Sequence, residues 1–183
     1  MITLVTGGAR SGKSGYAEQL AVRSGLGVAY IATAHAGDAE MAARIERHRA
    51  QRPSGWLTVE APHALGAALR AYARADRCIV VDCLTLWLTN LILAEHDERD
   101  DVAAIEAGPR LAAERDDFLA ALCAAAGEIV VVSNEVGMGV VPLGALNRFF
   151  VDEAGRLNQA VAACAGRVVW MVAGCPVYAK GAA

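Results

Sequence analysis

The cysteines of this sequence lack the spacing of a metal site. There are five, and no two of them are arranged as CxxC, so a zinc site is not expected. They are scattered and mostly set in apolar runs, which favours buried, reduced thiols in a cytoplasmic protein. The five are Cys78, Cys83, Cys123, Cys164 and Cys175.

Long apolar runs and an excess of basic residues are also missing. No segment has eighteen uninterrupted apolar residues, and the apolar stretch 84–94 is too short to span a bilayer. The residues after Met1 show neither the basic region nor the cleavage site of a signal peptide. The formal net charge is -3, whereas a general nucleic-acid binder is basic. We therefore expect a cytoplasmic protein with no membrane span and no nucleic-acid partner.

What the sequence does contain is the composition of a folded domain. Its 183 residues are 55% hydrophobic and 20% charged, which predicts one globular domain over residues 1–183. Short apolar runs without polar alternation predict strands buried on both faces, as in a parallel sheet covered by helices. A brief run at 56–60 predicts a strand at the sheet edge. The buried strands are expected at 2–6, 28–33, 78–82, 128–133 and 167–172.

Segments of helical composition lie between these runs. The charged segment 96–109 contains Gly108-Pro109 and is interpreted as a surface loop. The alternation predicts a three-layer α/β domain with a mostly parallel central sheet, of the P-loop NTPase type once the motif below is included. The helices are expected at 13–23, 39–52, 64–75, about 103–126 and 152–165.

A glycine-rich motif stands between the first strand and the first helix. The pattern G-x-x-x-x-G-K-[ST] is met by Gly7, Gly12, Lys13 and Ser14. Glycines let the backbone curl so that several amides face one anion, and the helix start adds its positive dipole end. The pattern predicts a phosphate-binding loop, with a plain glycine-rich turn as the alternative. The loop residues are Gly7, Gly8, Ala9, Arg10, Ser11, Gly12, Lys13 and Ser14.

Three polar side chains are expected to act on a nucleoside triphosphate held by this loop. Lys13 is suited to neutralise the β- and γ-phosphates, and the Ser14 hydroxyl is suited to ligate Mg²⁺. Asp82 ends a predicted strand, so it faces the same edge of a parallel sheet and is the second candidate for Mg²⁺. The alternative for Asp82 is a capping role at the start of the next helix.

An arginine-rich segment surrounds one histidine. His48 has Arg44, Arg47, Arg49 and Arg52 around it, and helical spacing would place Arg44 on its face. Guanidinium groups bind phosphate oxygens in a bidentate way, and a neutral imidazole can attack phosphorus and carry a phosphoramidate. The alternative is a set of solvated arginines that complement the end of a helix.

These motifs together resemble the bifunctional adenosylcobinamide kinase / adenosylcobinamide-phosphate guanylyltransferase family of cobalamin assembly. The resemblance covers nearly the whole chain, and its Asn-Glu-Val-Gly-Met-Gly run and the surroundings of His48 are more specific than the phosphate loop. The matching stretches are residues 7–14, Tyr30-Ile-Ala-Thr33, 40–45, His48, 52–60, Val81-Asp-Cys-Leu-Thr85, Thr89-Asn90, 133–142 and 152–159.

The resemblance implies two reactions. A nucleoside triphosphate, ATP or GTP, phosphorylates the hydroxyl of the aminopropanol arm of adenosylcobinamide. GTP then guanylylates His48, and the cobinamide phosphate takes the GMP to give adenosyl-GDP-cobinamide. The resemblance also implies a homo-oligomer, since relatives form trimers. Besides the phosphate loop, it assigns GTP contacts to Ala32, Thr33, Ala34, Arg49, Ala50, Gln51, Arg52, Glu60 and Asp82.

Two other functions remain open at this stage. A simple P-loop small-molecule kinase would use Lys13, Ser14 and Asp82 but would form no covalent nucleotide adduct. A nucleotide-dependent switch or assembly ATPase would turn over slowly without an acceptor, although the sequence has no NKxD motif for guanine selection. The loop after Asn134, with Gly137 and Gly139, is a candidate for the corrinoid site, or a structural turn after a strand.

Overall fold

The computed structural model describes residues 1–35, 37, 39–50, 52–96 and 105–182. Seven strands form one sheet, with helices on both of its faces. In chain order the elements are β1 (Ile2–Gly7), α1 (Lys13–Arg23), β2 (Gly27–Ala32), α2 (Ala39–Ala50), β3 (Leu57–Glu60), α3 (Leu65–Tyr72), β4 (Arg77–Asp82), α4 (Leu84–Leu93), α5 (Pro109–Ala124), β5 (Glu128–Val132), α6 (Ala145–Cys164), β6 (Arg167–Val172) and β7 (Cys175–Lys180).

The strand order brings the predicted functional segments to one edge of the sheet. The order is β3-β2-β4-β5-β1-β6-β7, and every neighbouring pair is parallel except β6 and β7. The carboxyl ends of parallel strands share an edge, so the loops after β1, β2, β4 and β5 open onto the same side of the domain. In the ladder of β2 and β4, Ala32 lies opposite Asp82.

Two hydrophobic cores occupy the two faces of the sheet. The larger core packs α3, α4, α5 and α6 against one face and includes the Trp87 and Phe118 rings, whose centroids are 5.2 Å apart. The smaller core packs α1 against the other face and includes Tyr16 and Tyr30. The expected three-layer α/β domain with a mostly parallel sheet is therefore confirmed.

Several element boundaries differ from the expectation for a physical reason. Residues 84–93 form a helix that is buried on most sides, so its sequence shows no polar face to mark it as one. Strand β7 was not expected, because it is a mostly exposed antiparallel edge strand without an apolar run. Helix α6 already begins at Ala145, ahead of the predicted start at 152. The start of α5 expected near 103 lies outside the described residues, which show α5 beginning at Pro109.

The expectation of reduced, buried thiols is wrong for three of the five cysteines, two of which are oxidised and one of which is exposed. Cys123 and Cys164 form a disulfide between α5 and α6, with their Cα atoms 5.7 Å apart. Both helices end at the amino edge of the sheet before a parallel strand begins, which brings residues 41 positions apart into contact. Cys78 and Cys83 are free and buried, whereas Cys175 is free and exposed.

The described helices give no candidate for a membrane-spanning segment, since none of them is both long enough and apolar enough.

Candidate active site

The loop between β1 and α1 has a backbone that only glycine tolerates at two positions. Gly7 has φ 149° and Gly12 has φ 95°, both in the region that L side chains rarely adopt. A Cβ on Gly7 would lie 2.5 Å from the carbonyl oxygen of Met171. The loop therefore curls closely against β6, as a phosphate-binding loop requires.

The start of α1 presents backbone amides without a capping side chain. Gly12 is the N-cap residue and makes no side-chain cap hydrogen bond. The first helical amide with a backbone acceptor is that of Tyr16, which donates to Gly12 at 3.0 Å. The amides of Lys13, Ser14 and Gly15 precede it and have no acceptor within the helix. Together with the curled loop they form a site for an anion.

Lys13 lies inside this site with only 7% of its surface exposed. Its Nζ donates to the carbonyl of Gly8 at 2.6 Å and approaches Oγ of Ser11 at 3.5 Å. Burial lowers the pKa of Lys13 from its ordinary value of 10.5, and the nearby Cys83 and Asp82 offset this only in part. A buried ammonium without a full counter-charge is poised to bind phosphate oxygens.

Asp82 lies at the end of β4 and is held by a buried tyrosine of the neighbouring strand β2. The hydroxyl of Tyr30 donates a hydrogen bond to Oδ2 of Asp82. Burial raises the pKa of Tyr30, and the charge of Asp82 and this hydrogen bond raise it further, so the phenol stays protonated and remains a donor. The capping role for Asp82 is wrong, because Cys83 occupies the N-cap of α4.

The donor set at this edge fits a magnesium ion. Mg²⁺ prefers hydroxyl, carboxylate and phosphate oxygens, which Ser14, Asp82 and a bound triphosphate would provide. Tyr30 engages Oδ2 of Asp82, and no donor among the described residues is bonded to Oδ1. Asp82 ends β4 at the sheet edge onto which the phosphate loop also opens, and its charge raises the pKa of Lys13 against the effect of burial.

The segment that follows β2 is fixed to the loop after β4. The hydroxyl of Thr33 accepts from the amide of Cys83 at 2.8 Å and donates to its carbonyl at 2.7 Å. Thr33 is buried, and Ala34 follows it at the same edge of the sheet. The structure thus brings Ala32, Thr33 and Asp82 together, as the family resemblance implies.

Helix α2 carries the predicted nucleophile, His48, and also Ala50 as its last residue. The side chain of His48 lies outside the described part of the structure, and so does the whole of Gln51. Arg49 is exposed and its Nη1 lies 4.0 Å from Oε1 of Glu60 at the end of β3. Because β3 is four strands from β1, Glu60 lies on a strand roughly 19 Å from the one that leads into the phosphate loop, at about 4.8 Å per strand.

Arg52, a predicted GTP contact, packs on Tyr30, the residue that is hydrogen-bonded to Asp82. The Cζ atom of its guanidinium lies 3.7 Å from the centroid of the Tyr30 ring. Trp56 flanks the same ring, with centroids 6.3 Å apart. Neither the ring of Tyr30 nor that of Trp56 was selected from the sequence as a site residue. Two signals were present: both residues lie in stretches that match the family, and a tyrosine inside an apolar strand has a hydroxyl that needs a buried partner.

The loop after β5 joins the same edge and presents an apolar surface. The amide of Glu135 donates to the carbonyl of Gly7 at 3.0 Å, which places this loop against the phosphate loop. Asn134 donates to Oγ1 of Thr85 at 2.7 Å and fixes the base of the loop. Beyond it, Val140 and Leu143 are 96% and 98% exposed. Apolar side chains so exposed beside a polar site indicate a surface for binding an apolar partner.

Similar folds define the class of protein. The RadB recombinase has a TM-score of 0.50 and 18% identity, covering 92% of this chain and 73% of its own. A prototypical ATPase from the type III secretion system of pathogenic bacteria has a TM-score of 0.52 and 10% identity, covering 92% of this chain and 50% of its own. With the glycine-rich loop, Lys13 and Asp82 in place, the chain is a P-loop NTPase-type domain.

Sequence comparisons then identify the family. Residues 3–179 match the family described as cobinamide kinase / cobinamide phosphate guanyltransferase. The bifunctional adenosylcobalamin biosynthesis protein CobP of Pseudomonas aeruginosa is 54% identical over 181 residues, or 99% of this chain and 98% of its own length. The CobU proteins of Escherichia coli and Salmonella typhimurium, which carry the same description, are 42% and 43% identical over 98% of this chain and their full lengths. The chain belongs to this family of enzymes, as its sequence motifs indicate.

Proposed function

We propose that this protein phosphorylates adenosylcobinamide with ATP or GTP and then transfers GMP from GTP to the product, giving adenosyl-GDP-cobinamide. The membership of the family supports both activities. The observation that carries the proposal in the structure is the phosphate loop with Lys13 and Asp82 at one edge of the sheet. The reaction is cytoplasmic and uses GTP, ATP and Mg²⁺.

In the kinase step, the chain supplies positioning and charge. The loop amides and the ammonium of Lys13 hold the β- and γ-phosphates. The aminopropanol hydroxyl oxygen forms a bond to the γ-phosphorus, the bond to the β-phosphate oxygen breaks, and the hydroxyl proton leaves to solvent. Ser14 and Asp82 would hold the Mg²⁺, which neutralises charge on the triphosphate when it is bound.

In the transfer step, His48 acts as the nucleophile. A neutral imidazole nitrogen forms a bond to the α-phosphorus of GTP, and the bond to pyrophosphate breaks. A phosphate oxygen of the cobinamide phosphate then forms its bond to the same phosphorus, and the phosphorus–nitrogen bond breaks. Arg47 and Arg49 of the same helix are exposed and are suited to stabilise the equatorial oxygens.

The transfer step requires α2 to approach the phosphate loop. The imidazole must come within about 3–3.5 Å of the α-phosphorus for reaction. In the described residues α2 has no extensive contact with another helix or strand, which supports such an approach. Arg49, the second-last residue of α2, pairs with Glu60 only through two exposed side chains, so this ion pair adds little that holds the helix at the sheet edge.

The apolar loop after β5 supports the corrinoid part of the proposal. Its exposed side chains Met138, Val140, Val141 and Leu143 lie beyond a segment that touches the phosphate loop. A corrinoid is bulky, so a site completed by a second copy of the chain is consistent with this surface. We therefore retain the homotrimer implied by the family as part of the proposal.

Labelling with GTP carrying ³²P at the α-phosphate tests the transfer step. The wild type should gain an acid-labile, base-stable label, and mass spectrometry should locate a GMP adduct on His48. The variant His48→Asn should not be labelled, whereas His35→Asn, which changes an exposed histidine after β2, should be labelled as the wild type. Labelling of His48→Asn at the wild-type level would refute the assignment.

Labelling with GTP, followed by addition of the corrinoid, separates the proposed function from the two alternatives, a simple kinase and a switch or assembly ATPase. A simple kinase would phosphorylate adenosylcobinamide but form no adduct with GTP. A switch or assembly ATPase would hydrolyse nucleotide without an acceptor and release no pyrophosphate on addition of the corrinoid. Pyrophosphate release that depends on GTP, followed by corrinoid-dependent loss of the label, supports the proposal and excludes both.

A further inference from the structure

Tyr30 contacts two residues of the candidate site, Asp82 and Arg52. It is not itself among the residues to which the family resemblance assigns GTP contacts. It is 1% exposed in the middle of β2, and its side chain lies on the face that α1 covers. The hydroxyl is bonded to Asp82, and the ring carries the guanidinium of Arg52. One side chain thus joins the end of β4 to the segment that follows α2.

The contact with Asp82 fixes the orientation of that carboxylate. A residue next to a metal-binding carboxylate that holds one of its oxygens determines where the other oxygen points. Tyr30 occupies Oδ2, so Oδ1 is the oxygen that remains available to a cation at the phosphate loop. The phenol is well suited to this task because its side chain is buried in the core between the sheet and α1.

The contact with Arg52 docks the end of α2. Arg52 is two residues beyond the last residue of that helix, and its guanidinium lies over the ring at 3.7 Å. Its Nε is buried and has no hydrogen-bond partner among the described residues, so the aromatic face is the main attachment of this group. Trp56 stacks on the same ring, with the two planes 27° apart, and adds a second attachment for the segment that follows α2.

From these two contacts we infer that Tyr30 is a two-sided positioning residue: its hydroxyl orients Asp82 for the metal–triphosphate complex, and its ring docks the helix that carries His48 through Arg52. The first role rests on the proposed function of Asp82, whereas the second is a property of the fold. The two roles use different atoms of one side chain, so separate variants can remove them one at a time.

Tyr30→Phe tests the first role because it removes the hydroxyl and keeps the ring. The probe is Mn²⁺ in place of Mg²⁺, titrated by electron paramagnetic resonance with α,β-methylene GTP, which cannot release pyrophosphate. We expect the variant to bind Mn²⁺ about 10-fold more weakly than the wild type. The matched control Tyr72→Phe removes a hydroxyl on the opposite face of the sheet and should bind Mn²⁺ as the wild type. Wild-type affinity in Tyr30→Phe would overturn this role.

Arg52→Met tests the second role in the nucleotide-free protein. Hydrogen exchange of the α2 amides should become faster by about 10-fold or more, because the helix loses its attachment to the ring. Arg47→Met changes an exposed arginine of the same helix and should leave the exchange near the wild-type rate. An unchanged rate in Arg52→Met would show that this arginine does not dock the helix and would overturn the inference.

Neither readout depends on the transfer chemistry. If the wild type forms no GMP adduct, the proposed function of His48 fails while the exchange experiment still decides the docking role. If the adduct forms, Tyr30→Phe should be guanylylated at the wild-type rate once the metal is saturating, since its ring still holds Arg52. A loss on the order of 100-fold at saturating metal would instead show that the hydroxyl acts on the chemistry and would contradict the division of roles.

Discussion

The side-chain amide of Asn90 donates hydrogen bonds to the carbonyl oxygen of Thr33 at 2.8 Å and to that of Pro62 at 3.0 Å. Both acceptors follow the carboxyl ends of adjacent strands, β2 and β3. The NH2 group of asparagine has two hydrogens to donate, whereas an ionised carboxylate has none, so aspartate cannot make these two bonds. Helix α4 therefore fixes the point at which the chain leaves the sheet toward α2.

Replacement of Asn90 by Asp should destabilise the protein. The variant keeps the shape but leaves two carbonyls facing a carboxylate, so we expect the free energy of unfolding to fall by about 1–3 kcal/mol. Urea unfolding provides the measurement. As the control, Thr89→Val removes a hydroxyl that bonds only to Thr85 of its own helix and should change stability by less than about 0.5 kcal/mol. Equal losses in both variants would contradict the role of Asn90.

Replacement of Lys13 by Met should separate the stability of the fold from nucleotide binding. Burial holds the pKa of Lys13 below 10.5, so at neutral pH the buried ammonium costs stability and the variant should be the more stable. The unfolded chain binds more protons between the lowered pKa and 10.5, so the wild type gains stability relative to the variant as pH rises through that window. Urea unfolding from pH 7 to 10.5 measures the difference, and a difference that does not change with pH would refute this account.

The same variant should lose the response to nucleotide. A ligand that binds only the folded state raises the melting temperature, and this rise depends on the contact between Lys13 and phosphate. We expect GTP with Mg²⁺ to raise the melting temperature of the wild type and to leave that of Lys13→Met unchanged. A similar rise in both proteins would show that the lysine contributes little to binding.

Two glycines in helices should respond to alanine in opposite directions. A Cβ at Gly66 of α3 would lie 2.2 Å from Oδ2 of Asp117 and 2.9 Å from its carbonyl, so Gly66→Ala should destabilise by about 1–3 kcal/mol. Gly155 of α6 has open space at its Cβ, so Gly155→Ala should stabilise by about 0.5–1 kcal/mol. Thermal unfolding of both variants checks the signs. Stabilisation by Gly66→Ala would contradict the close packing of α3 against α5, and destabilisation by Gly155→Ala would contradict the open space at that position.

The buried carboxylate of Glu153 should contribute more to the free energy of unfolding than the exposed carboxylate of Asp116, although both pair with Arg115. Glu153 is 5% exposed and pairs with Arg156 at 2.5 Å and Arg115 at 3.4 Å. Its replacement by Ala removes charge-assisted hydrogen bonds from two arginines whose side chains are 30% and 64% exposed, and should lower the free energy of unfolding by about 1–3 kcal/mol. Asp116 also pairs with Arg115 but is 70% exposed, so Asp116→Ala should cost less than about 1 kcal/mol. Chemical denaturation of both variants tests this order.

The buried strands were predictable because they carry an unbroken apolar pattern. The run at 78–81 is apolar throughout and forms a central strand with Asp82 at its end, as expected. Residues 84–93 are also mostly apolar, but periodicity cannot distinguish a largely buried helix from other apolar segments. Strand β7 lies at an edge and carries exposed residues, so its place depends on pairing with β6 that no local pattern reveals.

The site was predictable where one short segment contains the whole chemical signal. The phosphate loop is such a case, because the four residues that define its motif, Gly7, Gly12, Lys13 and Ser14, lie within eight consecutive positions. The bond between Tyr30 and Asp82 joins residues 52 positions apart and depends on the order of β2 and β4 in the sheet. Such a contact follows from topology, which the sequence alone did not provide.

The hairpin of β6 and β7 supports the phosphate loop from the far end of the chain. The amide of Gly174 donates to the carbonyl of Ser11 at 3.0 Å, and the hydroxyls of Tyr16 and Tyr178 are 2.7 Å apart. These supporting contacts join residues that are synthesised far apart in time, since Tyr16 and Tyr178 are 162 positions apart. During synthesis the loop therefore remains without this support until β7 has been made.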